Sequence, residues 1–177
     1  MLKEQIFVYG EKSVIPAAAE FAQNHTVIAA GLQKNVKTAQ YICVNNADQL
    51  DQLMLNKSTA QILAPRQLYA KYAFHTGIEC LPNFEDLQPY KWDPHAVSQQ
   101  LLCVAMAAWM GAEVIYLFGY DTDASKESEN LRAMMTLYPD TEFVHVYKDQ
   151  PKNNLKNLKN FTGLDQPQFK QRMRDHG

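Results

Sequence analysis

No stretch of this chain approaches the roughly 20 consecutive apolar residues that a membrane-crossing helix needs, which excludes such a helix. Charge of one sign is also missing. Its 17 Lys and Arg against 19 Asp and Glu leave a formal net charge of -2, with basic residues scattered until the tail. That excludes the clustered basic face by which proteins hold nucleic acid. Cysteine is scarce and odd in number: Cys43, Cys80 and Cys103 show no CxxC spacing, so a disulfide framework or thiolate metal site is not expected. Free thiols in a reducing compartment fit that usage. The amino-terminal residues have no basic region leading into a signal-length apolar core, and a cytoplasmic protein is expected. Internal repeats and low-complexity segments are absent. What is present is a 177-residue chain, 46% hydrophobic and 20% charged, long enough for one domain with a sizeable core.

Apolar runs alternate with helical patterns along the chain. Ile6–Tyr9, Thr26–Ala29, Tyr41–Val44, Gln61–Ala64 and Ile78–Leu81 read as strands, with a helix over Val14–Asn24 between the first two. Asn46 and Gln49 have the spacing of a helix cap and its reciprocal partner, ahead of Leu50, Leu53 and Met54. Pro65 opens the next helix, and Pro82–Trp92 is a polar loop suited to a boundary or lid. Asp93-Pro94 then starts a long helix that runs to Met110 and stops at Gly111. Val114–Phe118 is apolar throughout, as a parallel strand covered on both faces would be. A helix over Lys126–Leu137, a strand over Phe143–Tyr147 and a final helix over Asn153–Phe161 follow. The predicted fold is α/β: a doubly wound, mostly parallel Rossmann-like sheet of about six strands in a three-layer sandwich. It occupies residues 1–165, with 166–177 as a polar tail that frays or docks loosely.

Ligands of such sheets lie beyond the carboxyl ends of the strands, so the loops that follow strands carry the candidates. In Tyr9-Gly-Glu-Lys-Ser13, a phosphate could meet Gly10, the Lys12 ammonium and the Ser13 hydroxyl at a helix start. Phosphate loops usually hold more than one glycine, so a plain turn capped by Ser13 is the competing reading. Gly119, Asp121 and Asp123 follow the buried strand. The two carboxylates offer hard oxygens to a divalent cation such as Mg2+, but no third ligand accompanies them and no metal site is assigned. Asp121 can instead bind ligand hydroxyls or the amides of its own turn, and Asp123 or Ser125 can cap the next helix. His95, placed in the first turn of the long helix, would be held neutral by the dipole and able to act as a base, or equally is a surface residue without a role. His145 lies on the same side of its strand as Phe143 and Tyr147 and reads as packing. Trp92 either stacks on a base or sugar or anchors its own loop. Trp109, Met106, Met110, Met134 and Met135 are at core spacing.

Met110-Gly-Ala-Glu-Val-Ile-Tyr-Leu-Phe-Gly-Tyr-Asp121 resembles a segment of bacterial CMP-sialic-acid-dependent sialyltransferases and their Rossmann-like relatives, among them hydroxymethylpterin pyrophosphokinase-like proteins. Val144–Tyr147 through Pro151, then Asn154, Leu155 and Phe161, is similar to the same group's last strand, loop and helix. Of its first glycine loop, Gly10 and Ser13 survive. The resemblance implies a CMP-like nucleotide or nucleotide-sugar among these three loops. It also marks departures. Gln99-Gln100 stand where the group has a Ser-Gly or Thr-Gly pair beside the nucleotide, and the long lid with its histidine base is missing after Asp121.

Two expectations follow. One is a transferase acting on a nucleotide or nucleotide-sugar, with Gly10, Lys12 and Ser13 on phosphate, Asn45, Asn46 and Gln99 near sugar or base, Gly119, Asp123 and Pro151 lining the site, and Asp121 and His95 in catalysis. The other is a binding or structural module that kept the architecture without the chemistry. The partner is a small molecule in the first case, and an uncovered apolar helix would bring two copies together in either.

Overall fold

The structure, a computed structural model, describes residues 4–12, 14–32, 39–90, 92–123, 125–152, 155 and 157–176. Within them, one sheet carries eight strands: β1 (Gln5–Tyr9), β2 (Thr26–Ala30), β3 (Tyr41–Cys43), β4 (Gln61–Ala64), β5 (Ile78–Cys80), β6 (Val114–Phe118), β7 (Glu142–Val146) and β8 (Phe161–Leu164). Their order is β5-β4-β3-β2-β1-β6-β7-β8, and every neighbouring pair is parallel. The sheet is thus fully parallel and two strands wider than expected.

Helices α1 (Pro16–Ala22), α2 (Ala47–Leu55), α3 (Arg66–Ala70), α4 (Gln99–Trp109), α5 (Ser125–Leu137) and α6 (Gln166–His176) complete the described elements. Because successive side chains of a strand point to opposite faces, both faces are apolar. Ile6, Val8, Ile115, Leu117 and Phe143 pack with Leu101, Leu102 and Val104 of α4 and Leu131 and Met135 of α5. Phe7, Tyr9, Tyr116, Phe118 and Val144 pack on the other side with Ala18 of α1, Leu50 of α2 and Phe169 of α6. Ten of the eleven α4 residues are buried, which is why that segment is apolar on every side.

Four expectations are corrected. The long helix begins at Gln99, with Ser98 as its cap through a Leu101 amide bond of 3.2 Å, so His95 precedes the helix and takes nothing from its dipole. Asp93 accepts the His95 amide at 2.9 Å in a local turn that stops short of α4. The Pro82–Trp92 stretch is no free lid: Phe84 and Leu87 are buried around a 3-10 turn over Glu85–Tyr90. A helix at Asn153–Phe161 gives way, in its described part, to turns and then to β8, the strand absent from the sequence reading.

The fourth correction is the tail. Residues 166–176 form α6, opened by a reciprocal pair in which the Gln168 amide donates to Asp165 Oδ1 (2.9 Å) and the Asp165 amide to Gln168 Oε1 (3.0 Å). Phe169 is fully buried, its ring 5.2 Å from Phe118, 5.6 Å from Tyr116 and 5.6 Å from Phe21. Arg172 holds both Glu142 carboxylate oxygens (2.9 and 2.7 Å) and donates to the Tyr116 hydroxyl (3.0 Å). Burial, with a smaller contribution from the Glu142 carboxylate, raises the Tyr116 phenol above its ordinary range, against the pull of that guanidinium.

Candidate functional site

The strand order turns back between β1 and β6: β2 lies on the far side of one and β7 on the far side of the other. Loops leave in opposite directions there, opening a crevice at the carboxyl ends. The chain brings its first and sixth strand loops together at this point. Gly10 donates to the Phe118 carbonyl (2.7 Å) and Lys12 to the Gly119 carbonyl (3.0 Å). Gly119 has φ of +70°, a left-handed turn that a side chain would strain, and it swings the following residues across the crevice. Gly10 is needed for closeness. A Cβ there would lie 2.6 Å from the Gly119 carbonyl oxygen and 2.9 Å from the Tyr120 ring. Gly10→Ala is therefore expected to destabilise the fold by about 1–3 kcal/mol, because the obstacle is backbone and cannot swing away. Urea denaturation of the two proteins measures it.

Across the crevice Lys12 Nζ meets Asp121 Oδ2 at 2.7 Å, while the Asp123 amide donates to Asp121 Oδ1 at 3.0 Å. Both charged side chains are well exposed, 62% and 37%, so the pair adds little to stability and leaves the ammonium reachable. Lys12, Gly119, Asp121, Thr122, Asp123, His145 and Pro151 are among the residues lining a cavity of about 260 Å3 that continues toward the β7 loop, Tyr147–Gln150. Six expected site residues thus converge: Gly10 beneath the crevice and Lys12, Gly119, Asp121, Asp123 and Pro151 around the cavity. Ser13 lies outside the described residues. Among the described residues, no group of three or more His, Cys, Asp or Glu is placed to hold a metal ion.

Asn45, Asn46 and Gln99 lie away from this cavity, and their polar groups are used within the protein. Asn45 Nδ2 donates to the carbonyls of Val97 (2.7 Å) and Pro94 (3.2 Å), and Asn46 caps α2 by accepting the Gln49 amide at 3.1 Å. The reciprocal half of that cap is not made, since Gln49 Oε1 accepts from Leu32 N (2.9 Å) and Gln99 Nε2 (3.2 Å). Gln99 Oε1 takes the Asn45 amide at 3.1 Å. Its neighbour Gln100 lies against Gly10 and donates to Glu127 Oε1 at 2.8 Å, which also accepts the Ser98 hydroxyl at 2.8 Å. Two glutamines therefore fill the space between the start of α4 and the strand ends, as their size predicts. The cavity described above lies on the β6–β7 side. His95 is exposed and does not line it.

His145 is the residue sequence reasoning passed over. It lies in β7 opposite Leu117, is 3% exposed, and lines the cavity. Burial pushes its pKa down to about 4, although a hydrogen bond to the Tyr120 backbone and the carboxylates of Asp123 and Asp121 pull the other way. The ring is neutral at pH 7. Its Nδ1 has no hydrogen-bond partner among the described residues, and the same holds for the buried Thr122 hydroxyl on the same wall. One signal was available: His145 is the one polar residue in the run Phe143–Val146, near the carboxyl end of its strand.

No known family profile matches the chain, and no curated protein does. Solved structures do. Sialyltransferase CstII from Campylobacter jejuni, in complex with the substrate analogue cytidine-5'-monophosphate, superposes with a TM-score of 0.57 at 13% identity, covering 90% of this chain and 85% of that one. CstII in complex with a trisaccharide acceptor and CMP gives 0.53 at 12% identity over 89% and 86%. An α-2,3-sialyltransferase from C. jejuni in apo form gives 0.53 at 12% over 90% and 80%. At such identity the likeness is one of fold.

Proposed function

We propose that the chain binds a nucleotide or nucleotide-sugar at the carboxyl edge of its sheet and transfers the activated group from it, as a glycosyltransferase-like enzyme. The observation that carries this reading is the cavity at the β1–β6 crevice, where two lysines (Lys12 and Lys148), three aspartates (Asp121, Asp123 and Asp149) and a buried neutral imidazole converge. Solved structures of the same fold hold CMP and an acceptor, which supports the ligand class. In this reading Lys12 turns from Asp121 to the donor phosphate, assisted by Ser13. Asp121 then orients ligand hydroxyls, with Asp123, Gly119 and Pro151 shaping the wall. Rate comes from positioning and charge stabilisation.

Thermal unfolding with CMP, UDP, GDP and ATP, each with and without Mg2+, tests it. One nucleotide at a hundred times its dissociation constant is expected to add about 2.7 kcal/mol to stability. Lys12→Ala and Asp121→Ala are expected to abolish that shift; the ligand-free melting temperature barely moves in Lys12→Ala, whose ion pair is exposed, and falls further in Asp121→Ala, which also loses the bond from the Asp123 amide. The glutamines packed beneath the strand ends favour a second reading, a binding module without chemistry. If none of the four nucleotides raises the melting temperature, that module reading prevails.

A further inference from the structure

We propose that the crevice grips its ligand through phosphate and sugar, and reads no base. This rests on the nucleotide-sugar reading above and narrows it: the part of the ligand that the protein recognises is a sugar phosphate.

The first support is the state of the strand ends on the β2 side of the crevice. A ligand lying across such a crevice takes hydrogen bonds from the backbone amides just beyond the strands. On this flank those amides are already used. Glu11, Leu32 and Asn45 are each the second residue beyond β1, β2 and β3, which are neighbours in the sheet. The Glu11 amide donates to Gln100 Oε1 (3.4 Å), the Leu32 amide to Gln49 Oε1 (2.9 Å) and the Asn45 amide to Gln99 Oε1 (3.1 Å). A carboxamide oxygen is an acceptor like the oxygens of a ligand, so α2 and α4 supply from within the chain what a bound molecule would supply.

The same side chains take up the room. A Cβ on Gly31 would lie 2.2 Å from Gln49 Oε1 and 2.5 Å from Gln99 Nε2, and one on Gly10 would lie 2.9 Å from Gln100 Oε1. The close approach that a glycine at a strand end permits is thus spent on glutamine. A ligand does not sweep these groups aside cheaply. Gln99 and Gln100 are buried, Gln99 Nε2 donates to Gln49 Oε1 (3.2 Å), and Gln100 Nε2 donates to Glu127 Oε1 (2.8 Å). Displacing either one strands buried polar atoms.

On the other flank lies the cavity of about 260 Å3 between the β6 and β7 loops. It falls short of the roughly 300–1,000 Å3 of sites that enclose a drug-sized ligand, so it suits one portion of a nucleotide-sugar. Lys12 and Lys148 stand there among Asp121, Asp123 and Asp149. That balance favours one phosphate surrounded by hydroxyls over a chain of phosphates, which would meet like charge.

Calorimetry on the full chain tests the proposal with CMP, UMP, GMP, AMP and the base-free ribose 5-phosphate. All five are expected to bind within about fivefold of one another, whereas a site that hydrogen-bonds a ligand group rejects an analogue without it by about ten-thousandfold. The double variant Gln99→Ser, Gln100→Ala returns the space and the amides. It is expected to bind at least one of the nucleotides more than about fivefold more tightly than ribose 5-phosphate. If that variant unfolds early, the series on the natural protein decides alone. The proposal is overturned if the natural protein separates the ligands by more than about fivefold, or if the folded variant shows no preference for a base. Failure of all five to bind removes the nucleotide reading itself, whereas a spread among ligands that do bind overturns this inference alone.

Discussion

Phe169→Ala is expected to cost about 3–5 kcal/mol, the range for removing a large buried aromatic. The ring has no exposure and touches the aromatic groups of β1, β6 and α1 at once, with centroids 6.0 Å from Phe7, 5.2 Å from Phe118 and 5.6 Å from Phe21. These neighbours sit in rigid strands or a packed helix, so the hole cannot close by a small shift. Chemical denaturation gives the number. A loss under about 1 kcal/mol would mean that α6 does not dock as described. Arg172 and Met173 on the same helix reinforce the attachment, and a truncation after Leu164 is expected to be worse than the point substitution.

Acidification is expected to weaken the fold by about 3 kcal/mol through His145 alone, as follows from a pKa of about 4 in the folded state against 6.5 in the unfolded chain. The sign is set by which state binds the proton. Above pH 6.5 the ring is neutral in both and the contribution is complete. Between 6.5 and about 4 the unfolded chain takes a proton that the folded protein refuses, so stability falls; below 4 both are charged and the loss levels off. Denaturation of the natural protein and of His145→Phe at pH 7 and pH 4.5 checks it. The natural protein is expected to lose far more than the variant, because phenylalanine fills the position without titrating. Equal losses would show that the ring is not held neutral.

The parallel sheet was legible because β6 is apolar at every position and β1 and β2 at all but their first, and both glycine turns at the crevice were legible because turns need them. β8 was not. Phe161-Thr-Gly-Leu164 is four residues with a glycine and partial burial, at the sheet's edge, where only one neighbour enforces the conformation. Helix α6 hid behind its composition: Phe169 and Met173 alone are buried, a stripe too narrow to register among eleven mostly polar residues. Its start was nonetheless written in Asp165-Gln-Pro-Gln168, a cap with its reciprocal glutamine around a proline. At the site, sequence placed Gly10, Lys12, Gly119, Asp121, Asp123 and Pro151 on one rim. It misassigned Asn45, Asn46 and Gln99 because side-chain amides that face a rim can as well be consumed by backbone groups, and only geometry separates the two uses.

The position of β1 at the centre of the sheet also fixes when the crevice can exist. Strands β1 to β5 form one wing from the first 80 residues, whereas β6 completes the other side only after a further helix has been made. Lys12 and Asp121 are separated by 109 positions. On the ribosome the early wing must therefore wait with one flank of β1 unpaired, a sticky edge during synthesis. Whatever molecule bridges Lys12 and the β6 loop would clasp the two halves of the polypeptide together, rewarding only chains that have finished joining them.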